Sequence, residues 1–400
     1  MRIKTFKFGL VAVVMLAGAC ATPPIPQEPA ETPTLSQPSP SAEEPLSEPI
    51  ITANSVELCL NSRYSEHSLT GTASNQQIAN ILWAAGKAPV TGSYRDTYVA
   101  TPTGEYSYNP GTHSLSRHSD QLVTDGAFVI NYESDLAFDT GVAYMLATLS
   151  SVSLWKSSES AVASCPKRTS LYFGVQEVRG LTSELVAHSS APQGDPEWLP
   201  DPSTDGQNKL EEVLANLKYV SKFSAENLTL QQISQLLWAG YGCTPHVTSN
   251  GRMGLTVPSA QAKYYLTGTI YLANENGVYR YHNRNPSTDL TTRDHRIEPI
   301  SSDDVRDGLR AAVSGLPQAP CYMVVCLGTT GTGIAQEQNW ALLETGFVAG
   351  NILVQASALG LGCHFETTLT SDEQAAIRKV TGMPSSDTPQ VVISIGGMAK

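Results

Sequence analysis

A ten-residue phrase occurs twice in the chain, as Asn-Gln-Gln-Ile-Ala-Asn-Ile-Leu-Trp-Ala at 75–84 and as Leu-Gln-Gln-Ile-Ser-Gln-Leu-Leu-Trp-Ala at 230–239. In both copies the apolar residues recur at helical spacing, which predicts an amphipathic helix with one buried face. A helix repeated so closely indicates that the unit around it is repeated as well.

Further matches follow in the same order around the two helices. They pair 61–65 with 220–224, 104–108 with 277–281, 127–130 with 321–325, 139–141 with 344–346, and 171–175 with 391–396. The alternating stretches and short apolar runs among them predict strands. We therefore predict an α+β fold of two tandem lobes, each a mixed sheet flanked by helices.

The chain divides by composition into five segments. These are a signal peptide at 1–20, a Pro-rich tether at 21–50, a first lobe at 51–188, a Pro-rich linker at 189–208 and a second lobe at 209–400. The two lobes together are too long for one ordinary domain. Two like-folded lobes would pack as an intramolecular pseudo-dimer, so we expect a monomeric chain.

The helix predicted at about 339–359 is apolar or small nearly all round, apart from Glu344, Asn351 and Gln355. Its length leaves two interpretations open, a membrane span or a buried interface helix. The three polar residues fall on one stripe, which favours the interface helix.

The N-terminus has Arg2, Lys4 and Lys7 before an apolar run that ends on Cys20. Small residues leading directly to a cysteine resemble the lipobox of bacterial lipoproteins, in which that cysteine is acylated; an ordinary cleaved signal is the alternative. Ala21 after the cysteine favours the outer membrane by the same resemblance. We expect a protein of the bacterial cell envelope that faces the periplasm and meets the membrane only through its lipid.

The composition excludes several classes of function. The net charge is −12, and no stripe of Lys and Arg interleaves with aromatic residues, so nucleic acid is not an expected partner. His113 and His118 lie in a polar loop without a metal-ligand pattern, and no G-x-S-x-G occurs. The six cysteines after Cys20 include no C-x-x-C and are expected to be buried thiols.

The second copy carries phrases of a known family. They are Leu-Leu-Trp-Ala at 236–239, Thr-Val-Pro-Ser-Ala-Gln-Ala-Lys-Tyr at 256–264, Gly-Val-Tyr-Arg-Tyr at 277–281, Leu-Glu-Thr-Gly at 343–346 and Ala-Leu-Gly-Leu-Gly at 358–362. In this order they resemble the nitroreductase superfamily and most closely its SagB-type branch, FMN-dependent dehydrogenases that oxidise azoline rings in modified peptides. The resemblance implies FMN as cofactor, NAD(P)H as a possible donor, and a small-molecule or peptide substrate.

The resemblance also implies which residues would hold FMN. They are Lys218, Tyr219, Ser221 and Lys222 at the phosphate; Pro258, Ser259, Ala260 and Tyr264 along the ring; and Gly360, Leu361, Gly362 and Gly397 near the ring and the C-terminus. The family has arginines at the phosphate and usually Gly where Gln261 stands. Lys263 is a candidate proton carrier, and no catalytic residue is otherwise assigned.

The first copy lacks these features. Between Ala88 and Gly104 there is room for neither the Pro-Ser-Ala turn nor the strand after it, and Ser150–Ser151–Val152 stands in place of Gly-Leu-Gly. We therefore expect the first lobe to complete a single flavin site at the interface. Two functions stay open: an FMN-dependent oxidoreductase, and a non-catalytic envelope lipoprotein that uses the fold as a binding or scaffold module.

Overall fold

The protein is described from a computed structural model. The structure describes residues 43–65, 69, 71–123, 126–155, 159–165, 168–174, 180–189, 197–248, 250–284, 291–328 and 335–399. The predicted signal peptide, Cys20, most of the tether and part of the linker lie outside these residues. In the part of the chain that is described, no helix combines the length and the apolar character needed to cross a membrane.

The helices and strands fall into two series along the chain. The first lobe contains β1 (Glu44–Pro45), α1 (Val56–Ser62), α2 (Asn75–Gly86), β2 (Arg95–Thr101), β3 (Gly104–Asn109), β4 (Ser114–Ser119), β5 (Phe128–Ser134), α3 (Ala137–Trp155), β6 (Glu159–Cys165) and β7 (Arg168–Phe173). The second contains β8 (Glu197–Trp198), α4 (Leu210–Ala215), α5 (Leu230–Tyr241), β9 (Cys243–Val247), β10 (Met253–Leu255), β11 (Ile270–Asn274), β12 (Gly277–His282), β13 (Arg296–Ser301), α6 (Arg306–Ala312), β14 (Cys321–Leu327), α7 (Ala335–Ala358), β15 (Leu361–Glu366), α8 (Ser371–Thr381) and β16 (Thr388–Gly397).

The two lobes have the same topology. The strand order is β1-β4-β3-β2-β5-β7-β6 in the first sheet and β8-β13-β12-β11-β14-β16-β15 in the second, so the sheets correspond strand by strand. Every pairing within the two sheets is antiparallel. The prediction of two tandem α+β lobes is confirmed, although the sheets are antiparallel rather than mixed.

Three details of the first lobe differ from expectation. Strand β2 occupies the segment after Ala88 that we expected to hold no strand, and it pairs with both β3 and β5. Ser150–Ser151–Val152 lies inside α3, and the strand equivalent to β15 begins later, at Glu159. Strand β1 lies in the predicted tether and strand β8 in the predicted linker. Each pairs with the strand at the outer edge of its sheet and so extends that sheet by one strand.

A matching tyrosine–histidine pair supports that outer edge in each lobe. His113 and His295 both have φ of 49°, and the Nδ1 atom of each lies 2.9 Å from a tyrosine hydroxyl, that of Tyr108 and of Tyr281 respectively. The histidine carbonyl then accepts from the residue after the edge strand, Leu46 or Leu199. The sequence predicts only a polar loop at His113, and this structural role was not predicted.

Helices α3 and α7 pack against each other at the centre of the molecule. A Cβ atom on Gly141 would lie 2.3 Å from the Leu343 carbonyl oxygen, and one on Gly346 would lie 2.2 Å from the Phe138 carbonyl oxygen. The two backbones are therefore in direct contact at residues that the repeat equates. Four residues further along each helix, Met145 lies against Gly350 instead of against a residue like itself.

Outside this interface the second lobe has two helices that the first lobe does not have in its described residues. Helices α6 and α8 cover the outer face of the second sheet, where Val278, Val324 and Val392 are buried. The equivalent residues of the first sheet are Glu105, Asn131 and Ser170, and they hydrogen-bond to one another. The polar residues explain how this face of the first sheet is stable without covering helices.

The cysteines agree with the sequence analysis as far as they are described. Cys59, Cys243, Cys321, Cys326 and Cys363 are buried and unpaired. Burial raises the pKa of the Cys243 thiol to about 12, so it stays protonated at neutral pH.

Candidate functional site

The predicted phosphate segment lies along β15, the outermost strand of the second sheet. The Val220 amide donates to the Cys363 carbonyl at 2.8 Å, and the Cys363 amide donates to the Lys218 carbonyl at 2.9 Å. The Ser224 amide donates to the Gly397 carbonyl at 2.7 Å. These bonds bring together eight of the predicted residues, which we call the edge-strand cluster: Lys218, Tyr219, Ser221, Lys222, Gly360, Leu361, Gly362 and Gly397.

The glycines of this cluster have different roles. Gly360 follows α7 with φ of 77°, and nothing lies within 4 Å of where its Cβ would be, so it is an exposed helix cap. A Cβ on Gly362 would lie 2.4 Å from Cγ2 of Val220, and one on Gly397 would lie 2.7 Å from Oγ of Ser224. These two glycines make room for the chain's own side chains.

Tyr219 forms the buried side of the cluster. Its ring stacks on His364 with 5.3 Å between centroids, and its hydroxyl accepts from the Phe365 amide at 3.4 Å. Burial raises the pKa of Tyr219 above its usual value. The hydroxyl therefore remains a proton donor at neutral pH, while Ser221 and Lys222 are exposed.

Next to this cluster, the first lobe contacts Phe365 of β15 and Thr367, through Phe138 and the loop at 88–94. Phe365 packs edge-on against Phe138, and Thr367 donates a hydrogen bond of 3.1 Å to Thr91 in that loop. The fully buried Asp139 carboxylate holds the loop by accepting from the Thr91 and Gly92 amides at 2.9 and 2.8 Å. The loop takes the place in the first lobe that the Pro-Ser-Ala turn takes in the second, before the central strand.

The Pro-Ser-Ala turn of the second lobe does not belong to the edge-strand cluster. At one end of the second sheet, beside the edge-strand cluster, Cys321 pairs with Ile395 and Leu361 pairs with Gly397. The strand that follows the turn begins near the other end of β14, where Ile270 pairs with Val325. Strand β14 has seven residues. Its ends are therefore about 20 Å apart. The predicted FMN residues therefore fall into two groups. The second group, which we call the 258–264 turn, consists of Pro258, Ser259, Ala260 and Tyr264.

The 258–264 turn faces the first lobe. Arg63, only 1% exposed, donates from Nε to the Thr256 carbonyl at 3.1 Å. Its Nη2 donates to the carbonyls of Leu255 and Val257 at 2.9 and 3.2 Å. Arg63 belongs to the segment that the repeat equates with 220–224, so this segment of the first lobe meets the 255–257 backbone of the second lobe. Sequence analysis assigned Arg63 no role, although its place in the repeat marked it.

The backbone of this turn is strained. Gln261, Ala262 and Tyr264 have φ of 55°, 51° and 53°, which is the left-handed region that residues with a Cβ disfavour. The Ser259 hydroxyl accepts from the Tyr264 amide at 2.7 Å and helps to hold the conformation. Such strain persists only where the surrounding structure fixes it, and it is concentrated at binding and catalytic sites.

A buried carboxyl group supports the turn from below. Glu344 on α7 accepts hydrogen bonds from the Tyr241 hydroxyl, from the Leu266 amide at 3.4 Å, and from Ser259. Burial raises its pKa to about 7 despite these bonds. Glu344 therefore changes charge near neutral pH beside a strained turn.

No group of His, Cys, Asp and Glu that would suit a metal ion occurs among the residues that the structure describes. The second lobe thus offers two separate groups of predicted residues: two lysines beside buried glycines at the edge-strand cluster, and a strained turn above a buried acid at 258–264.

Comparison with known proteins identifies the family. The model of the nitroreductase family matches residues 219–397. A putative nitroreductase of Methanocaldococcus jannaschii is 30% identical over 188 residues, which are 44% of this chain and 87% of that protein. The chain therefore belongs to the nitroreductase family.

Solved structures extend the likeness to both lobes. The crystal structure of a putative nitroreductase from Anabaena variabilis has a TM-score of 0.58 and 12% identity, and the match covers 91% of this chain and 94% of that one. A second structure, a putative nitroreductase from Ralstonia eutropha, has a TM-score of 0.42 and 21% identity, with 55% and 97% coverage. The first of these likenesses shows that the whole two-lobed fold occurs in another protein.

Proposed function

We propose that this protein is an FMN-dependent oxidoreductase of the nitroreductase type, with one flavin site at the edge-strand cluster. The observation that carries the proposal is the meeting of Lys218, Lys222 and the turn at 360–362 along one strand edge, through backbone hydrogen bonds. Two cations suit a phosphate. The buried Ser224 hydroxyl, which has no partner in the described residues, adds a polar group there.

The same fit is absent at the 258–264 turn. The guanidinium of Arg63 is committed to the backbone carbonyls of 255–257, so it does not offer a phosphate its fork of donors. Ala262 and Tyr264 are buried in the protein itself. We therefore assign to this turn a structural role, and to the loop at 88–94 the first lobe's contribution to the flavin site.

When bound, FMN supplies hydride or electron transfer at its ring. In the proposed site Lys218, Ser221 and Lys222 bind and neutralise the phosphate. Tyr219 remains protonated and holds β15 in place through the Phe365 amide. Phe138 and Phe365 exclude water where the lobes meet. The SagB-type branch, with a small-molecule or peptide substrate and NAD(P)H as a possible donor, is the finer assignment that the resemblance favours.

The experiment is a titration of the full-length chain with FMN and, separately, with riboflavin, followed by flavin fluorescence. We expect one FMN per chain, and we expect Lys218→Ala/Lys222→Ala to weaken FMN binding about 10- to 100-fold through loss of charge-assisted hydrogen bonds. Riboflavin has no phosphate, so its affinity should not change.

Lys263→Ala, at the 258–264 turn, is the matched control and should leave FMN binding unchanged. Sensitivity to Lys263 but not to Lys218 and Lys222 would move the site to the turn. A chain that binds no flavin would overturn the proposal. It would favour the second function, a non-catalytic module. Two observations support that function: Val220 and Ser224 occupy the space beside Gly362 and Gly397, and Ala262 and Tyr264 of the turn are buried.

We also propose that the chain is exported and lipid-anchored through Cys20, on the strength of the lipobox-like sequence. Labelling of expressing bacteria with a radioactive fatty acid tests this. The wild-type chain should carry label, and Cys20→Ser should carry none; equal labelling of both would refute the anchor.

A further inference from the structure

The first lobe contains a cleft beside α2 that is larger than the cavity beside α5 in the second lobe. The cleft has a volume of about 560 Å³ and lies between the start of α2 and the end of the sheet near β1. Its lining includes Leu46, Ile78, Tyr106 and Leu115. The matching residues of the second lobe divide between two cavities. Ile233, Tyr279 and Ile297 line one of about 80 Å³. Asn227 and Pro320, which correspond to Thr72 and Ala127, line a separate one of about 580 Å³.

Two substitutions contribute to this difference. Helix α2 begins at Asn75 and α5 at Leu230, so Asn75 corresponds to Leu230 and Ala73 to Leu228. All four residues line their respective cavities. Leu228, which is 8% exposed, occupies apolar space in the second lobe that Ala73 leaves open in the first; Leu230 lines the cavity but is 48% exposed.

The second lobe also has a helix, α6, next to this region. Arg306 on α6 donates to the Asn227 side chain at 3.2 Å and to the Pro320 carbonyl at 3.1 Å, joining the two walls. In the first lobe the chain runs from β4 to β5 through 120–127 only, and the described part of that stretch contains no helix. Among the described residues, no helix of the first lobe corresponds to α6.

The lining defines the chemistry of an occupant. The floor is apolar, and the rim carries the hydroxyls of Thr72, Thr101 and Thr103, of which the last two hydrogen-bond at 2.9 Å. Of the residues that line the cleft, Glu44 alone carries a formal charge. The cleft has no cation for a phosphate or carboxylate, so it differs in kind from the edge-strand cluster.

We propose that this cleft, the α2 cleft, binds a small uncharged amphipathic molecule. Its hydrocarbon or aromatic body packs on Leu46, Ile78, Tyr106 and Leu115, and a hydroxyl or amide group meets the threonine rim. The volume is that of a small-molecule site, and a few placed polar groups on an apolar wall are what such sites use for orientation. Binding here needs no flavin.

The test is a fluorescence titration of the full-length chain with N-phenyl-1-naphthylamine, an uncharged amphipathic probe. We expect saturable binding of one probe per chain. Ala73→Leu/Asn75→Leu, which introduces the residues of the second lobe, should weaken binding at least tenfold without lowering the melting temperature, because the leucines fill apolar space. Ala73→Leu alone should act in the same direction and serves if the double variant does not fold.

Leu230→Asn is the matched control, since it makes the reverse change at an exposed position of the second lobe and should leave probe affinity unchanged. Saturating FMN should also leave probe binding unchanged. The proposal would be overturned if the folded Ala73→Leu or Ala73→Leu/Asn75→Leu variant bound the probe as tightly as wild type. It would also be overturned if probe binding never saturated or if FMN displaced the probe.

Discussion

Replacing Glu344 with glutamine should remove a pH dependence from the stability of the folded chain. The Glu344 carboxyl has a pKa of about 7 in the folded protein, compared with 4.5 as its ordinary value, chiefly because it is buried. A raised pKa means that the folded state binds the proton more tightly than the unfolded state does. The stability gained from the tighter binding of this proton is fully present below pH 4.5 and is lost as pH rises through about 7.

The size of the effect follows from the difference between the two pKa values. At about 1.4 kcal/mol for each pKa unit, the free energy of unfolding should fall by about 3 kcal/mol across this range. Glutamine has the shape of the protonated acid and still accepts from Tyr241 and the Leu266 amide. At about pH 8 we expect Glu344→Gln to be more stable than wild type by up to about 3 kcal/mol, and near pH 4 we expect the two to be equal.

Urea unfolding followed by tryptophan fluorescence at a series of pH values measures this directly. Tyr241→Phe provides a second check, because the Tyr241 hydrogen bond lowers the pKa of Glu344 and its loss should move the pH transition upwards. Parallel stability profiles for wild type and Glu344→Gln between pH 5 and about 8 would refute the reasoning.

Two further substitutions test how the lobes are joined. Gly141→Ala should lower the free energy of unfolding by about 3 kcal/mol, because the new methyl group meets the Leu343 carbonyl. The control Gly111→Ala, in an open turn, should be near neutral. Equal melting temperatures for the two variants would contradict the contact between α3 and α7. Arg63→Met should cost about 3 kcal/mol in urea unfolding by leaving the carbonyls of 255–257 without their donor, and a loss below about 1 kcal/mol would show that Arg63 does not pin the turn.

Much of the fold could be predicted because apolar residues in the repeated segments recur at the spacing of helices or strands. The helices at 75 and 230 and the central strands β5 and β14 follow from apolar spacing alone. Strand β2 could not be recognised, since its residues, Arg-Asp-Thr-Tyr-Val-Ala-Thr, are too polar to read as a central strand. The edge strands β1 and β8 are two residues each and owe their form to the sheets beside them.

The site was harder to predict for a geometric reason. A motif fixes where a residue lies within its own lobe, and it does not say which residue of the other lobe will face it. Lys218 and Pro258 therefore seemed parts of one slot, whereas in the structure they belong to regions near opposite ends of β14, and Arg63 of the first lobe holds only the backbone just before Pro258. His113 and His295 were missed because four residues separate Tyr108 from its histidine and thirteen separate Tyr281 from its own.

The contact of Met145 with Gly350 has a consequence for the lobes as separate units. In a symmetric dimer, a residue beside the axis meets its own copy, so it must suit itself. Two first lobes would bring methionine against methionine in a space made for a bare backbone, and two second lobes would leave a gap between glycines. Each lobe is therefore complementary to the other and not to itself, and the covalent link guarantees the one pairing in which both fit.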